Sequence, residues 1–159
     1  ARANPGEYFL LGGLTEREFF LNKPSDLAPI KNNGKATAVF FEQGNCHTCD
    51  LLHTDPLSQD LSIEEIEKMN VIQLNMCSDT ELIPPQGKKT TAKDWAKSLG
   101  IFYAPSIVFF DSDGKEIIRL DSVTHFYRLW GVLDYVNQKG YEKVGNYQDW
   151  LLKQREISK

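Results

Sequence analysis

Ala36-Thr37-Ala38-Val39-Phe40-Phe41-Glu42-Gln43-Gly44-Asn45-Cys46-His47-Thr48-Cys49-Asp50-Leu51-Leu52-His53 is the stretch on which the fold turns. The β-branched and aromatic run Thr37 to Phe41 reads as a buried strand. Gln43, Gly44 and Asn45 supply turn chemistry, and Cys46 and Cys49 follow three residues apart. With Asn45 as N-cap, a helix begins near Cys46 and places that cysteine in its first turn. Unsatisfied N–H groups and the positive end of the helix dipole favour a thiolate there over a thiol. Cys49 lies one turn further along the same face, within reach of a mixed disulfide formed at Cys46. The spacing therefore predicts a dithiol–disulfide couple. An inert structural disulfide or part of a metal site, with His53 one turn beyond Cys49 as third ligand, is the alternative.

The remaining composition narrows the function. A chain of 159 residues reads as a single domain with short additions, a core over about 36–139 and extensions at 1–35 and 140–159. Three cysteines are too few for a disulfide-stapled scaffold, which favours a catalytic or metal role for the close pair. The net charge of −4, with no dense Lys/Arg stripe, argues against a nucleic-acid partner. No apolar run approaches the roughly 20 residues of a membrane span. The chain begins Ala1-Arg2-Ala3, which fits a mature protein after signal removal and equally a trimmed chain.

Outward from the cysteine pair, Thr15 and Glu18 have capping-box spacing and predict a short helix through Leu21. Pro24, Ser25 and Asp26 predict a second start, with Asn32-Asn33-Gly34 as its stop. Asp55-Pro56 marks a break. Ser62 and Glu65 form another capping box that opens a helix to about Lys68, and Val71 to Asn75 reads as a strand. Residues 76–90, with Cys77, Pro84-Pro85 and Gly87, read as a long loop. Thr91 and Asp94 frame a helix start and Gly100 its stop. A proline-led apolar strand follows, Ala104-Pro105 to Phe110, then a turn over Asp111–Gly114 and a returning strand Glu116 to Leu120. Phe126, Leu129, Trp130, Leu133 and Val136 recur at helical spacing, with Gly140 as the stop. Tyr147, Trp150 and Leu151 predict a short amphipathic C-terminal helix. Strands separated by helices, closed by a hairpin, predict a mixed α/β sheet with helices on both faces.

The strand ending Phe40-Phe41, the Cys46-His47-Thr48-Cys49 motif, Leu99-Gly100-Ile101 before Ala104-Pro105, and the hairpin Phe109 to Glu116 resemble the thioredoxin superfamily. The phrase Phe40-Phe41-Glu42-Gln43 before Cys46 and the extra loop are most similar to SoxW-type thioredoxin-related proteins of the bacterial periplasm. The resemblance implies a thioredoxin-like fold and thiol–disulfide oxidoreductase activity. In that scheme Cys46 is the nucleophile, Cys49 resolves, and Ala104-Pro105 is a cis bond facing the pair and contacting substrate. It also implies protein thiol or disulfide substrates, an upstream redox partner, a monomer, an extracytoplasmic location and no cofactor beyond the dithiol itself. In one respect the chain departs from the family: the buried acid six residues before the first cysteine is Phe40 here, and Glu42 is the candidate substitute.

Other residues carry two readings. His47 stabilises a Cys46 thiolate when charged or is simply exposed. Thr48 reads as compact and polar, a modulating neighbour. A copper or zinc carrier using Cys46, Cys49 and His53 is the competing function. Cys77 reads as a buried small apolar residue, His125 as a helix-start surface residue, and Trp95, Trp130 and Trp150 as packing residues. Tyr103 reads as core or as a substrate contact.

Overall fold

A computed structural model describes residues 13–21, 26–29, 32–121 and 124–157. The predicted strand is β1, Thr37–Glu42, and it is buried along its whole length. Such a strand must be covered on both faces, and alternation along it divides the core in two. Ala38 and Phe40 point to one side with Ile107, Phe109 and Val71, while Val39 and Phe41 point to the other with Val108, Phe110, Ile72 and Leu74. β1 pairs in parallel with β2, Asn70–Asn75, and antiparallel with β5, Ser106–Phe110. β6, Glu116–Asp121, completes the four-stranded sheet in the order β2-β1-β5-β6.

The β1–β2 connection carries α1, His47–Thr54, a 3-10 turn at Pro56–Ser58, and α2, Asp60–Ile66. Leu52, Leu57 and Ile66 from these elements cover the Phe40 face. They share it with α4, Phe126–Asn137, through Leu129, Val132, Leu133 and Val136. Two C-terminal helices, α5 at Gly140–Lys143 and α6 at Tyr147–Ile157, add Tyr147 and Trp150 to that layer. The opposite face is covered by α3, Ala92–Ser98, whose Trp95 stacks on Phe110 and meets Phe41 edge-on. The result is the mixed sheet flanked by helices that the element order predicts, with helical additions.

Several boundaries differ from the sequence expectation. The Thr15–Glu18 pattern forms no helix; residues 13–17 carry no regular structure and 18–20 turn. Its capping groups are engaged elsewhere: Thr15 Oγ1 donates to Asp50, the Thr15 carbonyl accepts from Gln73, and Leu21 N–H donates to the Val71 carbonyl. Pro24 and Ser25 lie outside the described residues, and Asp26 forms a bridge with Ile83 instead of opening a helix. Cys46, not Asn45, is the N-cap of α1; Asn45 takes a left-handed conformation at φ 51°. α2 starts two residues before Ser62, with acidic Asp60 in its first turn where the dipole favours it, and it ends at Ile66. Ser62 is buried inside it.

The 76–90 stretch is not simply a loop. It contains β3, Glu81–Leu82, paired antiparallel with β4, Thr90–Thr91. Lys139, left-handed at φ 54°, ends α4, and Gly140 opens α5. Gly140 is needed for space: a Cβ there would lie 2.9 Å from the Trp150 ring. Trp130 and Phe126 are only half-buried, whereas Val132 and Tyr135, off the predicted stripe, are buried.

Candidate active site

α1 starts at the C-terminal end of β1, and this junction builds the site. Cys46, the N-cap, has an extended backbone, and its Sγ accepts the Cys49 N–H at 3.1 Å. A sulfur in the N-cap role thus takes one of the orphan helix donors, an arrangement that stabilises negative charge on it. Cys46 and Cys49 are joined as a disulfide with Cα atoms 5.2 Å apart. Both residues are largely covered, Cys46 at 7% exposure and Cys49 at 3%.

Facing the pair is the turn before β5. The Ala104–Pro105 peptide bond is cis. The Ala104 carbonyl accepts from Thr48 Oγ1 at 2.9 Å and lies 3.9 Å from Cys46 Sγ. Thr48 Oγ1 is itself 3.3 Å from Cys46 Sγ. A hydroxyl has one hydrogen, so Thr48 stands between two acceptors, a carbonyl and a sulfur. Thr48 therefore does more than fill space. His47, the first residue of α1, is exposed. Phe102 and Tyr103 project into solvent beside Ala104, at 72% and 69% exposure, so Tyr103 is not a core residue.

Beneath α1 the structure assembles a polar cluster that the sequence only partly announces. The buried face of α1 consists of Cys49, Leu52 and His53. Glu42, completely buried, accepts from His53 Nε2 at 2.9 and 3.1 Å and from Gln73 Nε2 at 3.0 Å. On the far side of the ring, Arg17 Nη1 lies 3.2 Å from His53 Nδ1 and donates to the His53 carbonyl, while Nη2 donates to the Leu57 carbonyl at 2.6 Å. Burial lowers the Arg17 pKa, and the negative charge of Glu42 raises it in part. Phe40 stacks on His53 with ring centroids 6.2 Å apart, and Phe20 meets it edge-on. The residue in the usual acid position thus packs on the ring of His53, which binds the acid Glu42.

His53 is accordingly not arrayed with the cysteines as a ligand, since both ring nitrogens are engaged. Among the described residues no group of three His, Cys, Asp or Glu side chains is arranged to hold a metal ion. Cys77 is half-buried, not core, with its Sγ 3.6 Å from Gln43 Oε1. Arg17 and Gln73 escape sequence reasoning. Gln73 carries a faint signal, as a polar residue on the same strand face as Val71, opposite Phe40; Arg17 carries none beyond a capping box that does not form.

The family profile for thioredoxin-like domains matches residues 24–137. No curated protein sequence matches the chain significantly. Among solved structures, the chain is similar to a thioredoxin-fold protein from Helicobacter pylori, at TM-score 0.73 and 17% identity over 87% of this chain and 89% of that one. It is also similar to a thioredoxin from Thermus thermophilus, at TM-score 0.55 and 17% identity, covering 75% and 91% of the two chains. These identities speak for the fold alone, and no described helix is long and apolar enough to cross a membrane. Sheet order, cysteine placement and the family match converge: the chain belongs to the thioredoxin-like domain family.

Proposed function

We propose that the protein is a thiol–disulfide oxidoreductase acting on protein disulfides or thiols. The observation that carries this is the Cys46–Cys49 disulfide at the start of α1, with Cys46 Sγ accepting a backbone N–H and facing Ala104-Pro105. In the reducing direction, the Cys46 thiolate attacks a substrate disulfide, and one substrate sulfur leaves as a thiolate. Cys49 then gives its proton to Glu42 and attacks Cys46 Sγ. The Sγ–Sγ bond forms, the Cys46–substrate bond breaks, and the second substrate sulfur departs with the electron pair. Two electrons have passed to the substrate, and Glu42 returns its proton to solvent. Oxidation of substrate is the same path reversed.

The neighbours have distinct parts in this scheme. His47, when charged, stabilises the thiolate form and makes the pair more oxidising. Thr48 offers its hydroxyl to the same sulfur. Half-buried Ala104 and exposed Phe102 and Tyr103 form the surface against which a substrate chain lies, with buried Pro105 behind them. The dithiol is its own cofactor, renewed by an upstream redox partner. The resemblance to SoxW-type periplasmic proteins supports an extracytoplasmic monomer.

The test is turnover of a disulfide-bonded test protein such as insulin with a dithiol reductant. The wild-type protein accelerates reduction, and Cys46→Ser and Cys49→Ser each abolish the acceleration. Equal turnover by the double variant would overturn the proposal.

A further inference from the structure

The hydrogen bonds around Glu42 have a direction. A guanidinium has donors and no acceptor, so in the Arg17–His53 contact at 3.2 Å, Nδ1 of His53 must be the acceptor. The neutral ring then carries its hydrogen on Nε2, which faces both oxygens of Glu42. Gln73 donates from its amide to Glu42 and to the Thr15 carbonyl, which fixes the amide's orientation as well. The hydrogens of His53 Nε2 and of the Gln73 amide therefore point toward Glu42, whose carboxylate is the acceptor, while Arg17 spends its own on His53 and Leu57. Among the described residues, the charged groups facing His53 are Arg17 and Glu42; Asp50, on the same helix, is bonded to Thr15.

We propose that Arg17 and His53 are positioning residues that hold Glu42 beneath α1 as the proton acceptor for Cys49, a role that presupposes the exchange chemistry proposed above. His53 stands one turn beyond Cys49 on the buried face of α1, so the carboxylate it holds lies under that helix. With Arg17 in place, Nδ1 is occupied and the ring is held with Nε2 on Glu42. Without Arg17, Nδ1 loses its partner and the ring is free to turn away from Glu42. The carboxylate is then no longer held in place to take the proton from Cys49. A segment of chain outside the sheet thereby sets the resolving step of a centre it does not touch chemically. Phe40 removes the acid from its usual place, and this cluster supplies one from the neighbouring inward position of the same strand.

The experiment mixes reduced protein with glutathione disulfide and follows glutathione release in two phases, attack by Cys46 and then resolution by Cys49. His53→Gln keeps the polarity, because its amide oxygen accepts from Arg17 and its amide nitrogen donates to Glu42; His53→Leu does neither. Resolution should slow about tenfold or more in His53→Leu and Arg17→Met, a modest part of what acid–base catalysis supplies. It should stay near wild type in His53→Gln, with the first phase unchanged in all three. Nitrogen NMR of the wild-type protein, which depends on no variant's folding, should show His53 with hydrogen on Nε2 and bare Nδ1 at neutral pH. A His53→Leu resolution rate equal to that of His53→Gln, or a hydrogen on Nδ1, would overturn the inference. If Glu42→Gln leaves resolution untouched, Glu42 is not the acceptor and the inference falls with that assignment. Loss of both phases in the wild-type protein would instead overturn the exchange chemistry itself.

Discussion

Replacing Thr48 with valine removes one oxygen beside Cys46 and keeps the shape of the side chain. In the oxidised protein the hydroxyl donates to the Ala104 carbonyl at 2.9 Å while sitting 3.3 Å from Cys46 Sγ. On reduction that sulfur becomes a thiolate and competes for the same hydrogen. A hydrogen bond to a charged group contributes about 1.5–3 kcal/mol, and the neutral one given up contributes about 0.5–1.5 kcal/mol. The difference is of order 1 kcal/mol. Thr48 is exposed, so screening by water brings it toward about 0.5–1 kcal/mol. At about 30 mV for each 1.4 kcal/mol, Thr48→Val should make the couple more reducing by roughly 10–20 mV. The assay is equilibration of each protein against glutathione buffers, scored by thiol alkylation. Alkylation of Cys46 at neutral pH should also slow in Thr48→Val, because less thiolate is present. A potential that is unchanged or raised, with alkylation unaltered, would refute the idea that the hydroxyl follows the charge.

Three further outcomes are expected. Cys77→Ala should retain turnover, because Cys77 Sγ bonds to Gln43 and has no place in the exchange; a large loss of disulfide-reducing activity would mark it as a relay thiol. Gly140→Ala should destabilise the protein by about 1–3 kcal/mol in urea titration, since the new methyl meets the Tyr135 and Trp150 rings; a neutral effect would mean that α5 and α6 shift freely. Burial raises the pKa of Tyr135, Tyr141 and Tyr147, so folding favours their neutral form. Their contribution is intact below the ordinary tyrosine pKa of about 10 and is lost as pH rises through the folded values, so a Tyr147→Phe variant should lose less stability than wild type above about pH 10.

The sheet was legible because β1 and β5 are buried on both faces and must be written in apolar residues, and because the turns carry glycine and proline at their own positions. The Cys46–Cys49 couple was legible because the chemistry and the helix start share one short stretch. What escaped has a common cause. Thr15, Glu18 and Ser62 have the spacing of caps, but capping is a local preference that tertiary partners override: Thr15 bonds to Asp50 and Gln73, and Ser62 is drawn inside α2. β3 and β4 have two residues each, too few for any period to appear. Glu42 was visible as a substitute acid, yet Gln73 reaches it from 31 residues after, Arg17, 25 residues before it, reaches the His53 ring that binds it, and only the folded chain brings them together.

The most direct measurement of the central claim is a trap. Cys49→Ser should accumulate a covalent complex with a disulfide-bonded protein, linked through Cys46 and released by a reductant, as read by non-reducing electrophoresis and peptide mass mapping. Cys46→Ser should form none. A complex that forms equally through Cys49, or that fails to form in either variant, would contradict Cys46 as the attacking thiol and with it the proposed exchange chemistry.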